Sequence, residues 1–352
     1  MKVMLAALYP GGPGTNAYTR SLAHALLGQG HEVVVADRAS EAVGLLPAGV
    51  SVVPLPRQRA RLRRRLGALE GWRVHGEIER LGRELQIDVL HATYPELGVA
   101  STWPTVVTAR DPVLSPLRRA VVAPRRGEAI WDEFLFGISD WWRCRSATAV
   151  VAYTKEVEQA IARKHRCVRR IPLCIPDEEI HEPTARRSQD CFLAAATLDD
   201  PRKGLDLALE ALARVRRSRP DMRLVLLGGW RDPERARTLP KFCDVRGFVP
   251  RHEVTASLRN AGCFLLPSLW EEGGNVALEA LAAGAPVVSS PLPALVDVQS
   301  QGLVLVPTRD PDSFARAIAA AVEIEKFAFP DAWRASMAGA LLTDLYASLR
   351  SA

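Results

Sequence analysis

What most constrains this chain is the regular alternation of short apolar runs with stretches of helical period. Apolar runs stand at Val3–Tyr9, Glu32–Ala36, Ser51–Leu55, Asp88–Ala92, Thr105–Ala109 and Ala147–Ala152. Between them, segments such as Ala17–Leu27 and Glu70–Leu85 repeat apolar residues at helical spacing. Strands that alternate with amphipathic helices predict a parallel sheet covered on both faces. The runs show little polar alternation, as strands buried on both faces should. A second cycle follows, with strands at Cys191–Ala196, Arg223–Leu227, Cys263–Leu266, Pro286–Ser289 and Leu303–Val306. Its helices fall near Leu205–Arg217, Val254–Asn260, Val276–Ala283 and Pro311–Glu323, and one more amphipathic helix spans Asp331–Leu349. Pro176–Ser188 is polar, aperiodic and holds two prolines, so it reads as an interdomain linker. The expected fold is α/β, with two Rossmann-like doubly wound domains, residues 1–178 and 186–328, facing a cleft. A length of 352 residues suits two such domains.

Composition removes several classes. The six cysteines are scattered with no C-x-x-C pair, which suggests neither a zinc nor a redox motif and fits a reducing cytoplasm. The first apolar run begins almost at Met1, so no signal peptide is expected, and no apolar run is long enough to span a bilayer. The net charge of +6 is partly local. Arg57, Arg59, Arg61, Arg63, Arg64 and Arg65 crowd one stretch, beside Leu62, Leu66 and Leu69 at helical spacing. Two readings stand for it: a helix lying on an anionic membrane surface, or a helix packed on its own sheet with its arginines in solvent. No nucleic-acid-binding module accompanies the arginines, so nucleic acid is not an expected partner.

Three segments carry chemistry, each placed just after a strand, where open α/β sheets bind ligands. The turn Tyr9-Pro10-Gly11-Gly12-Pro13-Gly14-Thr15 lets backbone N–H groups approach an anion. It lacks the Lys-Ser/Thr of a Walker loop, and Ala17 stands where a dinucleotide fingerprint needs its third glycine. Asp37, at the end of strand two, is the one feature that keeps a dinucleotide-dependent oxidoreductase in view. After the strand at Cys191 comes Asp199-Asp200-Pro201-Arg202-Lys203-Gly204. Cations there oppose the dipole of the following helix, which favours an anionic ligand over a solvated helix start. The third segment, Pro267-Ser268-Leu269-Trp270-Glu271-Glu272-Gly273-Gly274-Asn275-Val276, leads to Glu279. Glu271 in the loop can accept hydroxyls, and Glu279 sits on an otherwise apolar helix, where a carboxylate needs a partner. His91, after the fourth apolar run, is either a ligand contact at a cleft edge or a satisfied strand-end histidine.

These residues resemble the signature of the family 4 retaining glycosyltransferases of the GT-B fold. The resemblance rests on Pro267 through Glu271 and Glu279-Ala280, on Gly284-Ala285-Pro286-Val287-Val288, on Pro201-Arg202-Lys203-Gly204 and on Gly11-Gly12. Gly247-Phe248-Val249-Pro250 is similar to a turn that lies near the nucleotide base, and Gly302–Pro307 with Asp310-Pro311 to the family's final strand and helix. The resemblance implies a nucleotide-sugar donor and an unidentified hydroxyl acceptor. Arg202 and Lys203 would hold the diphosphate, Glu279 the ribose, and Glu271 the transferred sugar, with backbone groups near Gly273, Gly274, Asn275 and Val276. Phe248 and Val249 would lie near the base, and Gly11 and Gly12 near the phosphate. It implies retention of anomeric configuration, no cofactor and no metal, and a C-terminal helix (331–352) that packs back on the N-terminal domain. Two positions depart from the pattern. Arg110 stands where the family often has a histidine that contacts the sugar, and Thr197 where it often has an arginine. Arg110, like His91, is thus a possible sugar or acceptor contact, and it also keeps open a non-catalytic nucleotide-sugar-binding or glycan-binding relative.

Overall fold

The structure is a computed structural model that describes residues 1–7, 13–37, 46–55, 67–93, 102–109, 144–163, 165–184, 188–271 and 273–351. The chain divides into two compact units, Met1–Pro176 with Ala332–Ala352, and Asp177–Asp331.

In the first unit the described elements run β1 (Lys2–Ala7), α1 (Pro13–Gly28), β2 (Glu32–Asp37), β3 (Ser51–Pro54), α2 (Gly67–Leu85), β4 (Val89–Ala92), β5 (Thr105–Ala109), β6 (Ala149–Ala152), α3 (Lys155–Ala162) and β7 (Val168–Arg170). The seven strands form one sheet in the order β3-β2-β1-β4-β5-β6-β7, and every pairing is parallel. Lys2 pairs with Glu32 and Val3 with Val89, so β1 lies between β2 and β4. The central strands are buried along their whole length, which is why they appear as unbroken apolar runs.

The second unit opens on its sheet with β8 (Cys191–Thr197), then α4 (Leu205–Val215), β9 (Leu224–Gly229), α5 (Pro233–Arg237), β10 (Cys243–Gly247), α6 (Arg251–Arg259), β11 (Cys263–Leu266), α7 (Asn275–Ala282), β12 (Val287–Ser289), β13 (Leu303–Leu305) and α8 (Pro311–Ala321). Its sheet is also wholly parallel, ordered β10-β9-β8-β11-β12-β13. Leu205, Ala208, Ala211, Leu212 and Val215 repeat at helical spacing and turn one face of α4 onto Leu193, Leu224 and Leu226. Phe314, Ala317, Ile318 and Ala321 do the same for α8, which Asp310 caps by accepting from Ser313 N at 2.8 Å.

The expected linker differs in the structure. Residues 177–184 belong to the second unit: His181 N donates to Ala282 O at 2.7 Å, and the chain at Glu182–Pro183 packs against Gly284. The last helix, α9 (Ala335–Arg350), belongs to the first unit. A Cβ on Gly339 would stand 2.3 Å from Ala25 O, so α9 approaches α1 at glycine distance. Tyr346 and Leu342, both fully buried, anchor it. Among the described residues no helix is long and apolar enough to cross a membrane.

Candidate active site

In a parallel sheet of this order the crossovers leave β8 and β11 in opposite directions, and ligands bind at the carboxyl ends of those two strands. Both second-unit segments singled out in the sequence sit there: β8 runs into Leu198–Gly204 and β11 into Pro267–Gly274. The matching position in the first sheet follows β1 and β4. Gly11, Gly12, Arg110 and the Arg57–Arg65 stretch all lie outside the described residues.

The first segment is organised by Asp200. It caps the single 3-10 turn Pro201–Lys203 by accepting from Arg202 N at 3.0 Å. The same carboxylate accepts the Arg202 side chain through Nη2 at 2.8 Å and Nε at 3.1 Å, and Arg231 Nη2 at 3.2 Å. Burial pushes the Asp200 pKa up, but the bonds from Arg202 and the nearby guanidinium charges outweigh it and hold it at about 2. The Arg202 guanidinium also lies 5.8 Å from the Trp270 ring centroid. The cations the sequence places against a helix dipole are therefore partnered inside the fold, and α4 itself starts only after Gly204.

Gly204 joins the two segments. Its φ is +70°, and a Cβ there would fall 2.2 Å from Pro267 O. Only glycine allows that turn to sit directly on the β11 loop. Leu269 N donates to Arg202 O at 2.7 Å across the same seam. The closure sets Lys203 Nζ 2.6 Å from Glu271 Oε1, and Ser268 Oγ donates to that oxygen at 2.7 Å. Both side chains remain about a fifth exposed, 23% for Lys203 and 17% for Glu271, so the pair is reachable.

Glu279 lies at the fifth position of α7. Its partner is Arg251, which opens α6 and donates from Nη1 to Glu279 Oε1 at 2.8 Å and from Nη2 to Glu179 Oε2 at 3.1 Å. Gly274 precedes α7 and, as glycine, has no side chain to bond its first N–H groups, which suits the helix start to an anion. Gly273 is buried, Asn275 and Val276 are half-buried at the start of the helix, and Val249 is half-buried. Phe248 is 72% exposed, and its ring lies against Gly229 at the end of β9. The residues expected to hold a donor in the second unit thus share one sheet edge. Asp200 and Arg251 were not singled out from the sequence. The signals were present: an Asp before Pro201 at a helix start, and an Arg after Pro250 with its charge against a helix dipole.

His91 requires a correction as a possible ligand contact. It is fully buried in β4, and both ring nitrogens are engaged, Nδ1 with Tyr346 Oη at 2.5 Å and Nε2 with Thr108 Oγ1 at 2.8 Å. Burial pushes its pKa down to about 3. It is a neutral fastener between the sheet and α9. Asp37 is likewise buried at the end of β2.

Each unit is built on one wholly parallel α/β sheet, and the fold is the GT-B fold of glycosyltransferases. Residues 13–179 match the model of Glycosyltransferase Family 4, and residues 189–323 match that of Glycosyl transferases group 1. Putative colanic acid biosynthesis glycosyltransferase WcaL of Escherichia coli is 34% identical over 35% of this chain, a match that spans only 34% of that protein. Phosphatidyl-myo-inositol mannosyltransferase of Mycolicibacterium smegmatis is 27% identical over 88% of this chain and 81% of its own length. In fold, the chain is similar to Anabaena Alr3699/HepE, solved in complex with UDP-glucose, with a TM-score of 0.66 and 15% identity, covering 100% of this chain and 97% of that one. This chain belongs to the group 1 glycosyltransferases of family 4.

Proposed function

We propose that the chain transfers a sugar from a nucleoside diphosphate sugar to a hydroxyl acceptor with retention of anomeric configuration and without a metal. The observation that carries this reading is the Lys203–Glu271 pair at the carboxyl edge of β8 and β11. In it, the group suited to a phosphate and the group suited to a sugar hydroxyl neutralise each other. A donor would take both partners, its phosphate replacing the carboxylate on Lys203 and its sugar hydroxyls replacing the ammonium on Glu271. Charge then builds on the leaving diphosphate. Lys203 and the N-terminus of α7 stabilise it from fixed positions, the electrostatic role that a metal fills in other enzymes. Glu279, held by Arg251, would accept the ribose hydroxyls, and the exposed Phe248 ring would offer a face to the base. In a retaining front-face displacement, the leaving phosphate oxygen takes the acceptor's proton as the new glycosidic bond forms.

For the acceptor, a lipid-borne hydroxyl met at an anionic membrane surface is supported by the arginine stretch in the sequence and by the lipid acceptor named in the mycobacterial relative. The test of the donor reading is melting of the wild type with UDP, GDP, dTDP and ADP, with and without their common sugars. A ligand at 100 times its dissociation constant should stabilise by about 2.7 kcal/mol. A rise with one nucleotide supports the reading. No rise with any of them overturns it.

A further inference from the structure

Charges along this sheet edge are balanced unevenly. Arg202 and Arg231 share Asp200, Lys203 holds Glu271, and Arg251 bridges Glu279 and Glu179. Each of those cations already faces a carboxylate. Arg309 differs. It lies between β13 and α8, and its Nη1 donates to Pro267 O at 2.6 Å and to Ser290 Oγ at 3.2 Å. Both acceptors are neutral, and both lie at strand ends, Pro267 after β11 and Ser290 after β12. The neighbouring carboxylate, Asp310, is turned away to Ser313 N at 2.8 Å and Thr308 Oγ1 at 2.6 Å. Among the described residues, the Arg309 Nε and Nη2 hydrogens have no acceptor. Burial alone pulls its pKa down, with no carboxylate raising it.

Its position is as informative as its charge. The carbonyl it holds is the one on which Gly204 closes, the residue next to Lys203. Arg309 therefore meets the same Pro267 carbonyl on which the Lys203 turn closes. β8 itself ends in the neutral Thr197.

We propose that Arg309 is a phosphate-binding residue of this site, contacting the diphosphate of the donor with the N–H groups that the fold leaves open. The inference rests on the donor reading above and adds to it a cation that no motif marks. A phosphate arriving there gains charge-assisted hydrogen bonds without breaking an ion pair, and a guanidinium can present two parallel N–H groups to it.

The test compares binding of UDP, GDP, dTDP and ADP with binding of their free nucleosides, by calorimetry, for the wild type, Arg309→Ala, Arg309→Lys and Lys203→Ala. Arg309→Ala should weaken the preferred nucleoside diphosphate about tenfold, equivalent to about 1.4 kcal/mol, and leave the nucleoside unchanged. Arg309→Lys should recover part of the loss, and the salt dependence of diphosphate binding should flatten in Arg309→Ala. Diphosphate affinity at the wild-type level in Arg309→Ala, beside a loss in Lys203→Ala, would overturn this inference and leave the donor reading standing. Equal loss of diphosphate and nucleoside in Arg309→Ala would also overturn it, because the arginine would then only brace the Pro267 carbonyl. A wild type that binds none of the diphosphates would overturn both.

Discussion

The seam at Gly204 gives the sharpest perturbation. In Gly204→Ala the new Cβ starts 2.2 Å from Pro267 O and must retreat to at least 3.0 Å, so the turn and the β11 loop separate by about 0.8 Å. The Leu269 N to Arg202 O bond, 2.7 Å long, crosses the same seam and would stretch toward its limit. Losing it costs about 1 kcal/mol. Holding an alanine at φ +70° costs a further 1–2 kcal/mol, roughly. Together these predict about 2–3 kcal/mol of destabilisation, or a melting point lower by about 5–10 °C for a unit of this size. The functional loss should be larger than the stability loss implies. The shift falls between Lys203 and Glu271, and misplacement of catalytic groups by about 1 Å can cost about 100-fold in rate. The assay is donor turnover at a temperature where the variant is fully folded, beside a melting curve. Wild-type melting and wild-type turnover in Gly204→Ala would refute the seam as the device that assembles the site.

Glu279→Gln should weaken nucleoside diphosphate binding about tenfold, read by calorimetry, because a neutral amide is a poorer acceptor for hydroxyls and a poorer partner for Arg251; unchanged affinity would remove Glu279 from the ribose. Tyr346→Phe strips the partner from His91 Nδ1 inside the first unit and should destabilise by about 1–3 kcal/mol. The same variant should keep wild-type nucleotide affinity, and a selective loss of donor binding would return His91 to the site. Acid should weaken the first unit early. The folded pKa of His91 is depressed, so its contribution is present at neutral pH and declines as pH falls from about 6.5 toward about 3, because only the unfolded chain takes up the proton. Urea melts at pH 7 and pH 5 check this, and His91→Gln should flatten the difference. Asp200 acts lower on the scale. Its depressed pKa gives stability that is present at neutral pH and lost as the pH falls from about 4 toward about 2, so Asp200→Asn should lower stability near neutrality and flatten the acid limb below about 4.

The sequence made the sheets legible where burial is complete. β4, β5, β6 and β11 are buried at every residue and read as apolar runs. Two of the four edge strands were not legible. β7 reads Val-Arg-Arg and β10 Cys-Asp-Val-Arg-Gly, both half-open to solvent, and neither carries an apolar signal. α3 and α5 are short, and their evidence lies in the caps Thr154 and Asp232 rather than in periodicity. At the site, Lys203, Glu271 and Glu279 were legible because a charge after a strand or on an apolar helix demands a reason. Their contacts were not, since Lys203 and Glu271 are 68 residues apart and only the fold sets them side by side. His91 was ambiguous for the same reason: its partner Tyr346 is 255 residues away.

The return of α9 makes the first unit discontinuous, with the whole second unit spliced between its sheet and its last helix. During synthesis, the first sheet must therefore wait, with the face around Ala25 and His91 uncovered, while every residue of the second unit is made. The second unit has no such debt, because its strands and helices come from one unbroken stretch of chain. Removing α9 should consequently damage the unit that was translated first and spare the one made just before it. Limited proteolysis of a chain ending at Asp331 would show this as rapid loss of residues 1–176 around a surviving fragment that begins near Asp177.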